Sequence, residues 1–393
     1  MTTAAARPHG TSPRLARFGE SVFARFSRLA VEHGAVNLGQ GFPNFDGPDF
    51  VKEAGIRAIR EGFGQYARSS GLPETSAAIA RRFEKDGGYR ADPDREITVT
   101  AGCTEAIAAA MLGLVSPGDE VILVEPFYDS YPAVAAMAGA VVRTVRLEAP
   151  EFRFPIEALR RAISPRTRLL IVNSPHNPTG RVLSDEELAA IAELAQRHDF
   201  VVLSDEVYEK IVFDGRHRSI ATLPGMRERT IVLSSLGKTF SLTGWKIGWA
   251  IAPPALTAAV RAAHQFLTFA AATPLQRAAA AALSCEPSYY ALLDREYGER
   301  REIVLEQLRS AGLEPFAPQG SYFVIADHRR FGFADDEGFC EHLVREVGVA
   351  AIPCSAFYSD PPERSLVRFA FCKTPETLRE AGARLRAKLR PRP

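Results

Sequence analysis

Short apolar runs alternate with stretches of helical character through the middle of the chain. "REITVTAG" (95–102) reads as a strand and "TEAIAAAMLGLV" (104–115) as the helix behind it. "DEVILVEP" (119–126) is the next strand, followed by a helical "SYPAVAAMAGA". "TRLLIVNSP" (167–175) is apolar without alternation, as a strand covered on both faces must be. Ser184 and Glu187 form a capping-box signature, which predicts a helix over 185–198. "FVVLSDEVY" (200–208), "RTIVLSSLGK" (229–238) and "KIGWAIAP" (246–253) supply further strands. A helical segment, 254–269, then runs on into an Ala-rich helix at 275–283.

Strands that alternate with helices require right-handed crossovers and so predict an α/β fold with a mostly parallel sheet. After about residue 286 the pattern changes. A long helix (288–311), "SYFVIAD", a helix near 336–347, "VAAIP", "LVRFAF" and a final helix (374–389) predict a smaller α+β unit. The division expected is an N-terminal arm (1–45) contributing to the small domain, a large domain (46–285) and a small C-terminal domain (286–393). Residues 1–20 read as a poorly ordered arm.

Composition narrows the function classes. The chain has 393 residues, 46% hydrophobic and 24% charged, enough to bury a sizeable core. A formal net charge of +1, without blocks of like charge, points away from nucleic acid. No run of 18 apolar residues predicts a membrane span, and the small, polar N-terminus argues against a secretory signal. Five scattered cysteines without a Cys-x-x-Cys pair suit a reduced, cytoplasmic protein. No residue cluster resembles a metal site. The basic residues are nearly all arginine, so each of the seven lysines invites the question whether an amine is needed there.

Ligands of an open parallel sheet sit at the carboxyl ends of its strands. Gly102, Cys103 and Thr104 follow the first strand and enter a helix, whose free amides favour an anion such as phosphate. Tyr128, Asn177, Asp205, Tyr208, Ser235 and Lys238 follow the later strands. Ser235 and Lys246 would add donors to a phosphate. Asp205 would pair with a protonated ring nitrogen, Asn177 and Tyr208 with a ring hydroxyl, and Tyr128 would stack on a flat ring. The amine of Lys238 could join an aldehyde. A phosphorylated pyridine aldehyde with an adjacent hydroxyl, pyridoxal 5′-phosphate, matches every group.

"NSPHNPTG" (173–180), "LSDEVYE" (203–209) and "SLGKTFSLTGWKIGW" (235–249) resemble the class I/II aminotransferases of fold type I, over nearly the whole chain. "NLGQGFPNF" (37–45), "QGSYF" (319–323), "AIPCSAFY" (351–358) and "VRFAF" (367–371) resemble the kynurenine aminotransferase, glutamine transaminase K and methionine aminotransferase group. The resemblance implies a seven-stranded-type sheet flanked by helices and a homodimer with its active site at the subunit interface. It implies Lys238 as the Schiff-base lysine, Asp205 on the pyridine nitrogen, Asn177 and Tyr208 on the ring oxygen and Tyr128 stacked on the ring. Cys103, Thr104, Ser235 and Lys246 would bind phosphate, and Tyr66 would reach the partner's phosphate. Arg368 would fix the substrate α-carboxylate, helped by Asn177 and the Gly41 backbone. Phe23 and Phe269 would line the substrate pocket.

Two departures bear on the side chain accepted: Thr104 stands where kynurenine-type members often have an aromatic, and Ala270 where some have a histidine. The activity implied is ping-pong transfer of an amino group from an aromatic, sulfur-containing or glutamine-like amino acid to a 2-oxo acid. The alternative is a cysteine-S-conjugate β-lyase on the same scaffold. A cofactor-sensing regulator would need an upstream DNA-binding unit, and too few residues precede the motifs to hold one.

Overall fold

The structure, a computed structural model, describes residues 10–362 and 364–390. The first nine residues of the expected arm lie outside the described residues. The central sheet has seven strands. Along the sheet they run Ile97–Thr100, Gly248–Ile251, Thr230–Ser235, Val201–Asp205, Thr167–Asn173, Glu120–Glu125 and Val141–Arg146. The last five of these are mutually parallel.

The unalternating apolar strands are covered on both faces. In Thr167–Asn173, Leu169 and Ile171 enter a core formed with the Gly102–Leu114 and Pro254–Leu267 helices. Leu170 and Val172 enter the opposite core, with the Asp185–His198 helix. That helix opens on the expected capping box of Ser184 and Glu187.

Gly248–Ile251 departs from the parallel pattern. It pairs antiparallel with both Ile97–Thr100 and Thr230–Ser235. A parallel return needs a full crossover. Residues 236–247 instead form one short helix and a 3₁₀ turn at the carboxyl end of the sheet, and the chain comes straight back. This reversal keeps Lys238 and Lys246 at the same sheet edge.

The segment expected to continue from 254–269 into 275–283 is broken. The first helix ends at Leu267, the next begins at Thr273, and Phe269 between them has φ +68°. Farther along, a four-stranded antiparallel sheet runs Ile352–Pro353, Leu366–Ala370, Phe323–Asp327, Glu314–Phe316. Val36–Asn37 pairs in parallel with Val349–Ala350, joining an early segment to this late part of the chain. Among the described residues no helix is long and apolar enough to cross a membrane, and no group of three or more His, Cys, Asp or Glu is placed to hold a metal ion.

Candidate active site

A cavity of about 340 Å³ opens at the carboxyl ends of the parallel strands. One end of it is built by backbone. Ile97–Thr100 turns sharply into the Gly102–Leu114 helix through Gly102, at φ +77°. Ala101 offers no side-chain cap, so the first-turn amides stay free for a ligand. A Cβ on Gly102 would lie 3.2 Å from Lys246 Nζ, which shows how closely the amine approaches that turn. Cys103, Thr104 and Ser235 line the same end. Positive charge, a hydroxyl and a helix N-terminus converge there.

Gly248 keeps this turn in place from behind. A Cβ at Gly248 would sit 2.6 Å from the carbonyl carbon of Gly102 and 2.7 Å from the Cys103 nitrogen. These are backbone atoms that cannot swing aside. Gly248→Ala is therefore expected to destabilise the protein by about 1–3 kcal/mol, read as a lower thermal midpoint.

The floor of the cavity holds Asp205, the last residue of its strand and 4% exposed. Burial pushes its carboxyl above the ordinary range, against hydrogen bonds from Tyr131, Val207 and Cys103 that favour the ionised form. Asn173, at the end of the neighbouring strand, donates its side-chain amide to the Asp205 carbonyl at 2.8 Å. Its side-chain oxygen accepts the Asn177 amide at 2.8 Å. The short Leu236–Thr239 helix presents Lys238, whose ammonium lies 5.6 Å from the Tyr208 ring centre and 5.7 Å from that of Tyr322. Burial lowers the Lys238 pKa below the ordinary 10.5. Burial also holds the Tyr208 phenol protonated and pushes Tyr128 up to about 12.

The second sheet delivers Arg368 on Leu366–Ala370. It is 1% exposed. Nη1 donates to Asn177 Oδ1 at 2.9 Å and Nη2 to the Gly39 carbonyl at 2.7 Å, while the buried Nε has no hydrogen-bond partner. The guanidinium carbon lies 4.1 Å from the Phe323 ring centre and 5.1 Å from those of Phe23 and Phe357. Gly41 also lines the cavity, and its carbonyl accepts the Tyr322 hydroxyl at 2.7 Å.

The structure thus brings Lys238, Asp205, Tyr208, Cys103, Thr104, Tyr128, Asn177, Ser235, Lys246, Gly41, Arg368 and Phe23 to one cavity. Tyr66 and Phe269 are not among its lining residues. They touch each other, ring centres 5.1 Å apart, and are 84% and 49% exposed. Sequence reasoning missed Tyr131, Asn173 and Phe323, which also line the cavity. Asn173 ends a recognised strand, so its position held a usable signal, whereas Tyr131 lies within a helical segment and by sequence reads as packing. A larger cavity, about 520 Å³, touches the neighbouring Glu206, Glu209 and Ser234, but no lysine lines it.

The family model of class I and II aminotransferases matches residues 34–385. The chain is 49% identical to a probable N-succinyldiaminopimelate aminotransferase of Mycobacterium tuberculosis, covering 95% of this chain and 98% of that one. A solved structure of the N-succinyldiaminopimelate aminotransferase from that organism superposes with a TM-score of 0.94 at 50% identity, over 96% of this chain and 100% of the other. Escherichia coli methionine aminotransferase is 42% identical (95% and 97% covered), and Dictyostelium discoideum kynurenine–oxoglutarate transaminase 40% (94% and 94%). The fold is that of the fold-type-I aminotransferases, and the chain belongs to the class I and II aminotransferase family of enzymes.

Proposed function

We propose that this aminotransferase holds pyridoxal 5′-phosphate on Lys238 and moves an amino group from an amino acid with an uncharged side chain to a 2-oxo acid. The observation that carries the reading is one cavity holding a buried amine, a buried carboxylate and an uncapped helix N-terminus. Aminotransferases of this family and fold depend on that cofactor, and the donor set suits it. The free amides of 103–104 with Lys246 and Ser235 suit its phosphate. Asp205 suits its ring nitrogen, Asn177 and Tyr208 its ring oxygen, and Tyr128 its face.

When bound, the cofactor supplies an aldehyde carbon and a ring that accepts an electron pair. The protein's part is proton management and positioning. Asp205, kept from water, holds a proton at the ring nitrogen. Lys238 takes the proton from the substrate α-carbon, and its lowered pKa makes the neutral amine more accessible near pH 7. Arg368 and Asn177 hold the α-carboxylate, with the free Nε of Arg368 as an extra donor. The rate at which apo-protein captures pyridoxal phosphate is expected to rise with pH, with a midpoint below 10.5. Stopped-flow absorbance between pH 7 and 11 checks this; a midpoint at or above 10.5 contradicts it.

The donor reading rests on the walls. Phe23, Phe42, Phe323 and Tyr128 line the cavity, and Arg368 is the one arginine among the described lining residues. Aromatic, sulfur-containing or glutamine-like side chains fit such a wall. The 49% identity with the mycobacterial relative favours a second reading, N-succinyldiaminopimelate as donor. A panel of donors against pyruvate and 2-oxoglutarate, compared as kcat/KM, separates the two.

The same reading includes a homodimer in a cytoplasmic setting and the division near residues 45 and 285. Tyr66, Phe269, Ile59 (64% exposed) and Phe266 (86%) are apolar groups that a partner surface would cover. Light scattering checks the mass, and Tyr66→Phe is expected to weaken cofactor affinity.

A further inference from the structure

We infer that Tyr131 and Cys103 are positioning residues that hold the Asp205 carboxylate ionised and aim its one remaining acceptor site into the cavity. The inference rests on the proposed cofactor reading and concerns side chains that reading leaves idle.

The geometry is a count of acceptor sites. A carboxylate offers about four lone-pair directions. The Tyr131 hydroxyl donates to Oδ2 at 2.6 Å, the length of a strong charge-assisted bond. The Val207 amide reaches Oδ1 at 3.4 Å and the Cys103 thiol reaches Oδ1 at 3.7 Å. Three directions are taken, which leaves one for a ligand. Both side chains act as donors only while they keep their protons. Burial, then the neighbouring Asp205 charge, holds the Cys103 thiol and the Tyr131 phenol well above their ordinary values. Neither can turn into an anion that repels Asp205. Tyr131 is itself 4% exposed and is braced edge-on by Tyr128 at 5.7 Å.

These donors decide where a shared proton rests. A ring nitrogen facing Asp205 can form an ion pair, N–H⁺ with carboxylate, or a neutral pair, nitrogen with carboxylic acid. Hydrogen bonds to the carboxylate favour the ion pair. Removing them moves the proton from the ring towards Asp205 and weakens the ring as an electron sink. Tyr131 supplies the larger share because a thiol is a weak donor.

The test uses apo-protein reconstituted with pyridoxal phosphate labelled with ¹⁵N in the ring. Tyr131→Phe should raise the cofactor Kd about tenfold, and the ¹⁵N shift should move towards unprotonated pyridine. Cys103→Ala should act in the same direction by roughly twofold, and Cys103→Ser should restore the parent shift. Should Tyr131→Phe fail to fold, the Cys103 pair decides alone. A merely structural role would lower the thermal midpoint and leave the ¹⁵N shift unmoved. Parent-like shifts and Kd in both Tyr131→Phe and Cys103→Ala overturn the inference. Failure of the unmodified protein to take up the cofactor overturns the parent reading instead.

Discussion

Lys238→Ala is expected to lower kcat by about 10⁴-fold, the upper range for a positioned acid–base group, while the protein stays folded. Activity and stability part company here because of burial. The ammonium of Lys238 is disfavoured inside the cavity, so its folded pKa is depressed. A base with a depressed pKa carries a folding cost wherever it is protonated, and that cost fades as pH rises past its folded value. Alanine removes the cost along with the chemistry. The unliganded variant should therefore melt no lower than the parent. Borohydride treatment of the loaded parent should label the peptide containing Lys238, and the variant should take no label. Parent-like turnover by Lys238→Ala would remove the basis of the mechanism.

Arg368→Leu is expected to reduce kcat/KM by about 10²–10³-fold, as when one partner of a buried charge pair is lost. Its effect on stability should be small because two terms oppose. Burial lowers the guanidinium pKa from 12.5 to about 10, which corresponds to about 3 kcal/mol of disfavoured charge. That cost is present in full below pH 10 and is relieved as pH rises from there towards 12.5. Leucine relieves it at all pH values but strands two acceptors, Asn177 Oδ1 and the Gly39 carbonyl, at about 1–3 kcal/mol each. A 2-oxo acid at a hundred times its Kd should stabilise the parent by about 2.7 kcal/mol and leave the variant unmoved. Thermal shifts with and without the acid measure both halves. Equal shifts in parent and variant would show that Arg368 does not hold the carboxylate.

Much of this candidate site is legible in the sequence. Asp205 ends one strand and Lys238 follows another, both apolar at successive positions, so their place at the sheet edge followed from the pattern. Gly102 before an Ala-rich helix marked the uncapped helix N-terminus in the same way. Tyr131 was less legible. A tyrosine inside a helix reads as packing, and only its 2.6 Å contact with Asp205 gives it a part in the site. Tyr66 and Phe269 came from family likeness alone, and within one chain they lie outside the cavity-lining residues.

By itself the sequence determined the strand and helix alternation, the parallel sheet and the groups at its carboxyl edge, because those follow from local periodicity and chain direction. The tertiary structure decided the rest. It turned Gly248–Ile251 antiparallel, since residues 236–247 are spent at the carboxyl end of the sheet, beside the cavity. It carried Arg368 across from a second sheet to meet Asn177, 191 residues away in sequence. It also brought Tyr131 and Cys103 from other elements onto the Asp205 carboxylate, one to each oxygen. Contacts at that separation depend on packing, which no local pattern encodes.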